Sequence, residues 1–97
     1  NYLTNSAYSG PQVFFDNEET KDLATIIQDT LNKNLNTKRE IKKIPTKTYM
    51  YDKLIIPGVL IECGFLSNNT EKNKLITEQY QQKIASLIKD AIITYFN

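Results

Sequence analysis

The chain contains no histidine and a single cysteine, Cys63. These absences narrow the available chemistry before any residue is placed. Without histidine there is no serine–histidine or cysteine–histidine catalytic pair, and Cys63 would lack the base that usually activates a thiol nucleophile. One cysteine cannot form a disulfide within the chain. Cys63 lies in an apolar run and is expected to be a small buried hydrophobe. No apolar stretch reaches the roughly 18 residues of a membrane-spanning helix, and there are no internal repeats or low-complexity segments. The opening residues, Asn1-Tyr2-Leu3-Thr4-Asn5, show no signal-peptide pattern. The formal net charge of +1 over 97 residues offers no electrostatic case for nucleic-acid binding. Lys38, Arg39, Lys42, Lys43 and Lys47 do cluster, but such a cluster reads first as a solvated loop and strand edge. Contact with an anionic polymer is the minority reading.

What is present is globular: hydrophobic residues make up 40% and charged residues 24%, a balance that supports one small domain or part of a larger one. Six segments carry structural signals. Gln12–Phe15, bounded by Gly10-Pro11, reads as a short strand. A helix follows over about 17–34, with Asp16 as N-cap, Glu19 at the capping-box position, and Leu23, Ile26, Ile27, Leu31 and Leu35 on one face, Gln28 falling mostly off it. Thr48–Tyr51 is a second strand candidate. The third is Gly58–Glu62, within Pro57–Asn68, the most apolar part of the chain. Its unalternating β-branched run suits a strand covered on both faces. Ser67 or Asn68 can cap a short helix over 70–76. Thr77 begins a last helix over about 78–95, with Tyr80, Ile84, Leu87, Ile88, Ala91 and Tyr95 on its apolar face and Ile92 and Phe96 widening it. The alternation points to an α/β fold.

Glu62 stands out chemically. A carboxylate between Ile61 and Phe65 is costly unless it is paired, hydrogen-bonded or near a metal. The carboxyl ends of strands are also where functional groups gather in open α/β sheets. Glu62 is therefore either a structural acid with a partner or a working group.

The stretch Pro57-x-Val59-Leu60-Ile61-Glu62-x-Gly64-Phe65-Leu66-Ser67-Asn68 resembles the signature of the zinc-dependent N-acetylmuramoyl-L-alanine amidases of the third amidase family. The likeness is strongest to the spore-cortex, CwlD-type branch. It extends through Gly10–Phe15, Ile27-Gln28-Asp29, Arg39 and Tyr80–Ala85, and so over nearly the whole chain. Tyr51 and Asp52 depart from the branch, which prefers leucine and a basic residue there. The resemblance implies a mixed-sheet, three-layer amidase fold, of which this chain would hold about three strands and two long helices. It implies hydrolysis of the amide joining N-acetylmuramic acid to L-alanine of peptidoglycan, in spore cortex, as a step toward muramic lactam and germination. It implies Glu62 as the catalytic general base beside a zinc ion that two histidines and a glutamate hold.

This chain cannot supply those histidines, so the zinc ligands are expected outside it. Asn1 matches the asparagine that follows the second histidine in the family. Residues 1–97 are accordingly expected to be the C-terminal portion of one catalytic domain. An additional chain (the N-terminal half, a symmetry mate or another protein) is expected to complete the sheet. Arg39 could meet a stem-peptide carboxylate or form a salt bridge with Glu40 or another acid. The family works outside the cytoplasmic membrane. The alternative reading is a non-catalytic amidase-like fragment that binds wall or a partner.

Overall fold

The structure, a computed structural model, describes residues 9–45, 58–65 and 67–97. Three strands and three helices occur among them, in the order β1 (Gln12–Phe15), α1 (Glu18–Leu35), β2 (Lys42–Lys43), β3 (Val59–Glu62), α2 (Asn69–Leu75) and α3 (Glu78–Phe96). The sheet order is β2-β1-β3. β1 runs parallel to β2, pairing Phe14 with Lys42, and antiparallel to β3, pairing Gln12 with Glu62 and Val13 with Ile61. This is the mixed-sheet α/β fold the sequence implies, and the described residues supply two of its layers.

Strand alternation sorts the two sheet faces. Val13, Phe15, Val59 and Ile61 pack into a core with Ala24, Ile27 and Leu31 of α1 and Ile84 and Ala91 of α3. The opposite face then carries Gln12, Phe14, Leu60 and Glu62. β3 is half-buried at every position, not buried as a strand covered on both faces would be. It is an outer strand of this sheet, and both long helices lie toward the other face. The strand candidate at 48–51 lies outside the described residues. The strand that is observed beside β1 comes from the basic segment, where exposed Lys42 and Lys43 form a sheet edge, as a solvated-edge reading of those lysines requires.

The helices begin and end on local chemistry. Asn17, not Asp16, caps α1. Its Oδ1 accepts the Glu19 N–H at 2.9 Å, and Thr20 in place of Glu19 closes the capping box. The helix starts one residue later than the acidic pattern suggests, because an asparagine caps as well as an aspartate. Asn36 ends α1 in the left-handed region, at φ 56°. Asn68 caps α2 and Thr77 caps α3. Full burial of Ile27 and Leu31 contributes about 1.5–3 kcal/mol each. That exceeds the roughly 1 kcal/mol of a cap, so packing holds α1 in place and capping sets where it starts. On α3, Ile84 and Ala91 are buried as the stripe requires. Ile92, Ile93 and Phe96 are exposed, Phe96 by 74%, so the apolar stripe is wider than the face that α1 covers.

Candidate active site

Glu62 ends β3 on the sheet face away from α1 and α3, and it is half-buried. No other described residue bonds to its carboxylate. A structural acid would need a partner, and none lies among the described residues. Its sheet partner is Gln12, and directly opposed residues in an antiparallel pair bring their Cβ atoms within about 4.5–5.5 Å.

Gln12 is buried and organises what surrounds Glu62. Its Oε1 accepts two N–H groups of Arg39, from Nε at 3.0 Å and from Nη2 at 2.9 Å. Its Nε2 donates to the carbonyls of Glu40 and Val13. Arg39 thus grips an amide oxygen with two donors, a geometry lysine could not reproduce. The guanidinium also lies over the Phe65 ring, 4.9 Å from its centroid. Arg39 anchors on a glutamine, a partner the sequence did not suggest, because the register of β1 carries Gln12 to the loop that follows α1.

That loop is held from the helix side by a chain of side-chain amides. Asn32 Nδ2 donates to the Arg39 carbonyl at 2.7 Å, and Asn32 Oδ1 accepts from Thr37 Oγ1 and from Gln28 Nε2. Gln28 is buried, whereas its place on the helical wheel left it off the apolar face. It accepts the Val13 N–H at 2.8 Å and donates to the Pro11 carbonyl at 3.0 Å. It thereby pairs the β1 backbone where β2 has not yet begun.

Beyond Glu62 the chain turns. Cys63 is exposed, not a buried hydrophobe. The apolar run outlasts the strand: β3 ends at Glu62, and Cys63 falls in the turn before buried Gly64 and Phe65. Partial desolvation still pushes its thiol pKa above the ordinary 9.0. Glu71 is a buried acid the sequence reading passed over. The available signal was the Asn68-x-x-Glu71 spacing, which reads as a capping box. Asn68 Oδ1 does accept the Glu71 N–H, but the Glu71 carboxylate turns to the Gly10 and Phe65 N–H groups instead.

Among the described residues no three histidine, cysteine or acidic side chains come together as a metal site. The side chains present therefore do not fit a zinc ion by themselves. A groove of about 690 Å³ between the end of α1, α2 and the start of α3 includes neither Glu62 nor Arg39. Glu62 and the Gln12–Arg39 pair lie away from that groove, toward the sheet face opposite α1 and α3.

A family profile described as N-acetylmuramoyl-L-alanine amidase (Amidase_3) matches residues 1–94. The germination-specific N-acetylmuramoyl-L-alanine amidase of Bacillus subtilis (strain 168) is 40% identical over 99 residues, covering 99% of this chain and 41% of that protein. The amidase LytC of the same organism is 31% identical over 96 residues, covering 94% of this chain and 19% of that protein. The solved structure of the CwlD amidase from Clostridioides difficile, in complex with the GerS lipoprotein, superposes with a TM-score of 0.88 at 38% identity. It covers 99% of this chain and 50% of that chain. This chain belongs to the N-acetylmuramoyl-L-alanine amidase family, near the CwlD amidases, and it spans half the length or less of these relatives.

Proposed function

From membership of this family we propose that the protein carrying this chain hydrolyses the amide between N-acetylmuramic acid and L-alanine in peptidoglycan, with Glu62 as general base. The observation that carries the reading is Glu62 itself: a half-buried carboxylate at a strand end, within the amidase-like signature, that no described residue occupies. Its task is to take a proton from the attacking water and deliver it to the departing nitrogen of L-alanine. The C–N bond breaks, the lactyl group keeps a carboxylate and the peptide leaves with a free amine. The zinc on which the family depends would activate that water and would be held by residues outside this chain.

We propose further that residues 1–97 are the C-terminal portion of the catalytic domain. The relatives' greater length supports this. So does the sheet face bearing Phe14 and Leu60, opposite the face on which α1 and α3 pack. The germination-specific relative and the CwlD likeness support a role in spore cortex, outside the cytoplasmic membrane, where stripped muramic acid becomes available for lactam formation. No described helix is long and apolar enough to cross a membrane.

The test is Glu62→Gln in the full-length protein, assayed by the appearance of free L-alanine amino groups from purified peptidoglycan. Loss of a general base costs about 10²–10⁴-fold in turnover. A variant that keeps more than a tenth of wild-type turnover overturns the assignment. Wall binding by a wild-type protein that shows no turnover would favour the binding-module reading instead.

A further inference from the structure

Glu71 is only 6% exposed and sits in the first turn of α2, yet its carboxylate serves two backbone groups outside that helix. Oε1 accepts the Gly10 N–H at 2.7 Å and the Phe65 N–H at 3.3 Å. Gly10 leads through Pro11 into Gln12, the sheet partner of Glu62. Phe65 lies three residues beyond Glu62, and its ring underlies the Arg39 guanidinium. One oxygen therefore ties together the two chain ends that flank Glu62. The turn is shaped to let that oxygen in. A Cβ at Gly64 would stand 3.1 Å from Glu71 Oε1 and 2.9 Å from Leu75 Cδ1, closer than side-chain carbons ordinarily approach.

We infer that Glu71 is a positioning residue for Glu62. It holds the exit of β3 against the entry of β1, and so sets where the Glu62 carboxylate and the Arg39–Gln12 pair stand relative to one another. The inference rests on the reading of Glu62 as general base. A buried acid that only stabilised α2 would direct its carboxylate to the end of that helix. This one leaves the end of α2 to Asn68 and turns both of its hydrogen bonds on the active strand ends.

The experiment compares Glu71→Ala, Glu71→Asp and Glu71→Gln with Glu62→Gln in the full-length protein. The readouts are kcat and KM on peptidoglycan per folded molecule, and amide hydrogen exchange at Gly10 and Phe65. Misplacing a catalytic group by about 1 Å costs up to about 100-fold. Glu71→Ala should lower kcat about 10- to 100-fold with KM unchanged and accelerate exchange at both amides. Glu71→Gln keeps an acceptor of the same reach and should recover kcat to within about threefold. If the alanine variant does not fold, Glu71→Asp decides: it keeps the charge but withdraws the oxygen by one methylene, and kcat should fall with KM unchanged. Adding Glu71→Ala or Glu71→Asp, whichever folds, to Glu62→Gln should cost nothing further, since there is no longer a base to place. Wild-type kcat in both the alanine and aspartate variants, with Glu62→Gln inactive, overturns the positioning role and leaves the base assignment standing. Wild-type turnover in Glu62→Gln overturns the base assignment, and the positioning role with it.

Discussion

Replacing Gln28 by leucine should be among the most damaging substitutions in this chain, although it inserts an apolar side chain of similar size into a buried site. Gln28 is 1% exposed, and its amide makes three hydrogen bonds: from Val13 N–H at 2.8 Å, to the Pro11 carbonyl at 3.0 Å and to Asn32 Oδ1 at 3.1 Å. Leucine makes none of them. Asn32 retains Thr37, but among the described residues the Val13 N–H and the Pro11 carbonyl have no strand to turn to, because β2 pairs β1 only at Phe14 and Phe15. Each orphaned buried group costs about 1–3 kcal/mol, and the added apolar burial returns about 0.8 kcal/mol per methylene-sized group. The net expectation is about 2–4 kcal/mol, a large share of the roughly 5–15 kcal/mol that holds a domain folded. Urea unfolding of the folded protein should show this as a lower midpoint at unchanged slope, with faster amide exchange at Val13. A leucine variant within about 0.5 kcal/mol of wild type would refute the reasoning, since it would mean that water or a shifted strand pairs those groups without cost.

Gly10→Ala should destabilise by about 1–3 kcal/mol. Gly10 holds φ +93°, and a new Cβ would meet Thr37 Cγ2 at 2.7 Å. Adding Thr37→Ser removes that methyl but keeps the hydroxyl, so it should recover part of the loss in thermal melts. Full recovery would show that backbone strain contributes nothing. A second expectation concerns alkaline pH. Burial, then the charges of Glu71 and Cys63, raise the Tyr80 pKa above 10.0, and burial raises that of Cys63 above 9.0. Both groups are neutral when protonated, and folding favours that form. Their contribution is complete below the unfolded values and is lost as pH rises through the folded ones. Melting temperatures should therefore fall above about pH 9, and the fall should be shallower in Tyr80→Phe and Cys63→Ser. Identical slopes in wild type and both variants would contradict it.

The parts of this molecule that could be read in advance are those governed by neighbours in the chain. Helix spacing placed α1, α2 and α3 to within a residue or so, since a cap or an apolar stripe depends on residues three or four positions apart. The exchange of Asp16 for Asn17 as N-cap is an ambiguity of the same short range. The amidase-like signature likewise drew attention to Glu62 through twelve consecutive positions. What could not be read this way depends on residues far apart in sequence. Gln12 meets Glu62 through a strand register spanning fifty positions, and Arg39 reaches Gln12 only because the loop after α1 returns to β1. Gln28 looked like a solvent-facing polar residue on its helix, and nothing in the local sequence singled out Glu71 as buried. Each is buried because a strand end with unpaired backbone groups lies against it. Cys63 shows the converse, an apolar neighbourhood in sequence that ends in an exposed turn. Local propensity and periodicity specify elements and their limits. Whether a polar side chain faces water or closes a buried hydrogen bond depends on which distant backbone arrives beside it, and only the assembled fold settles that.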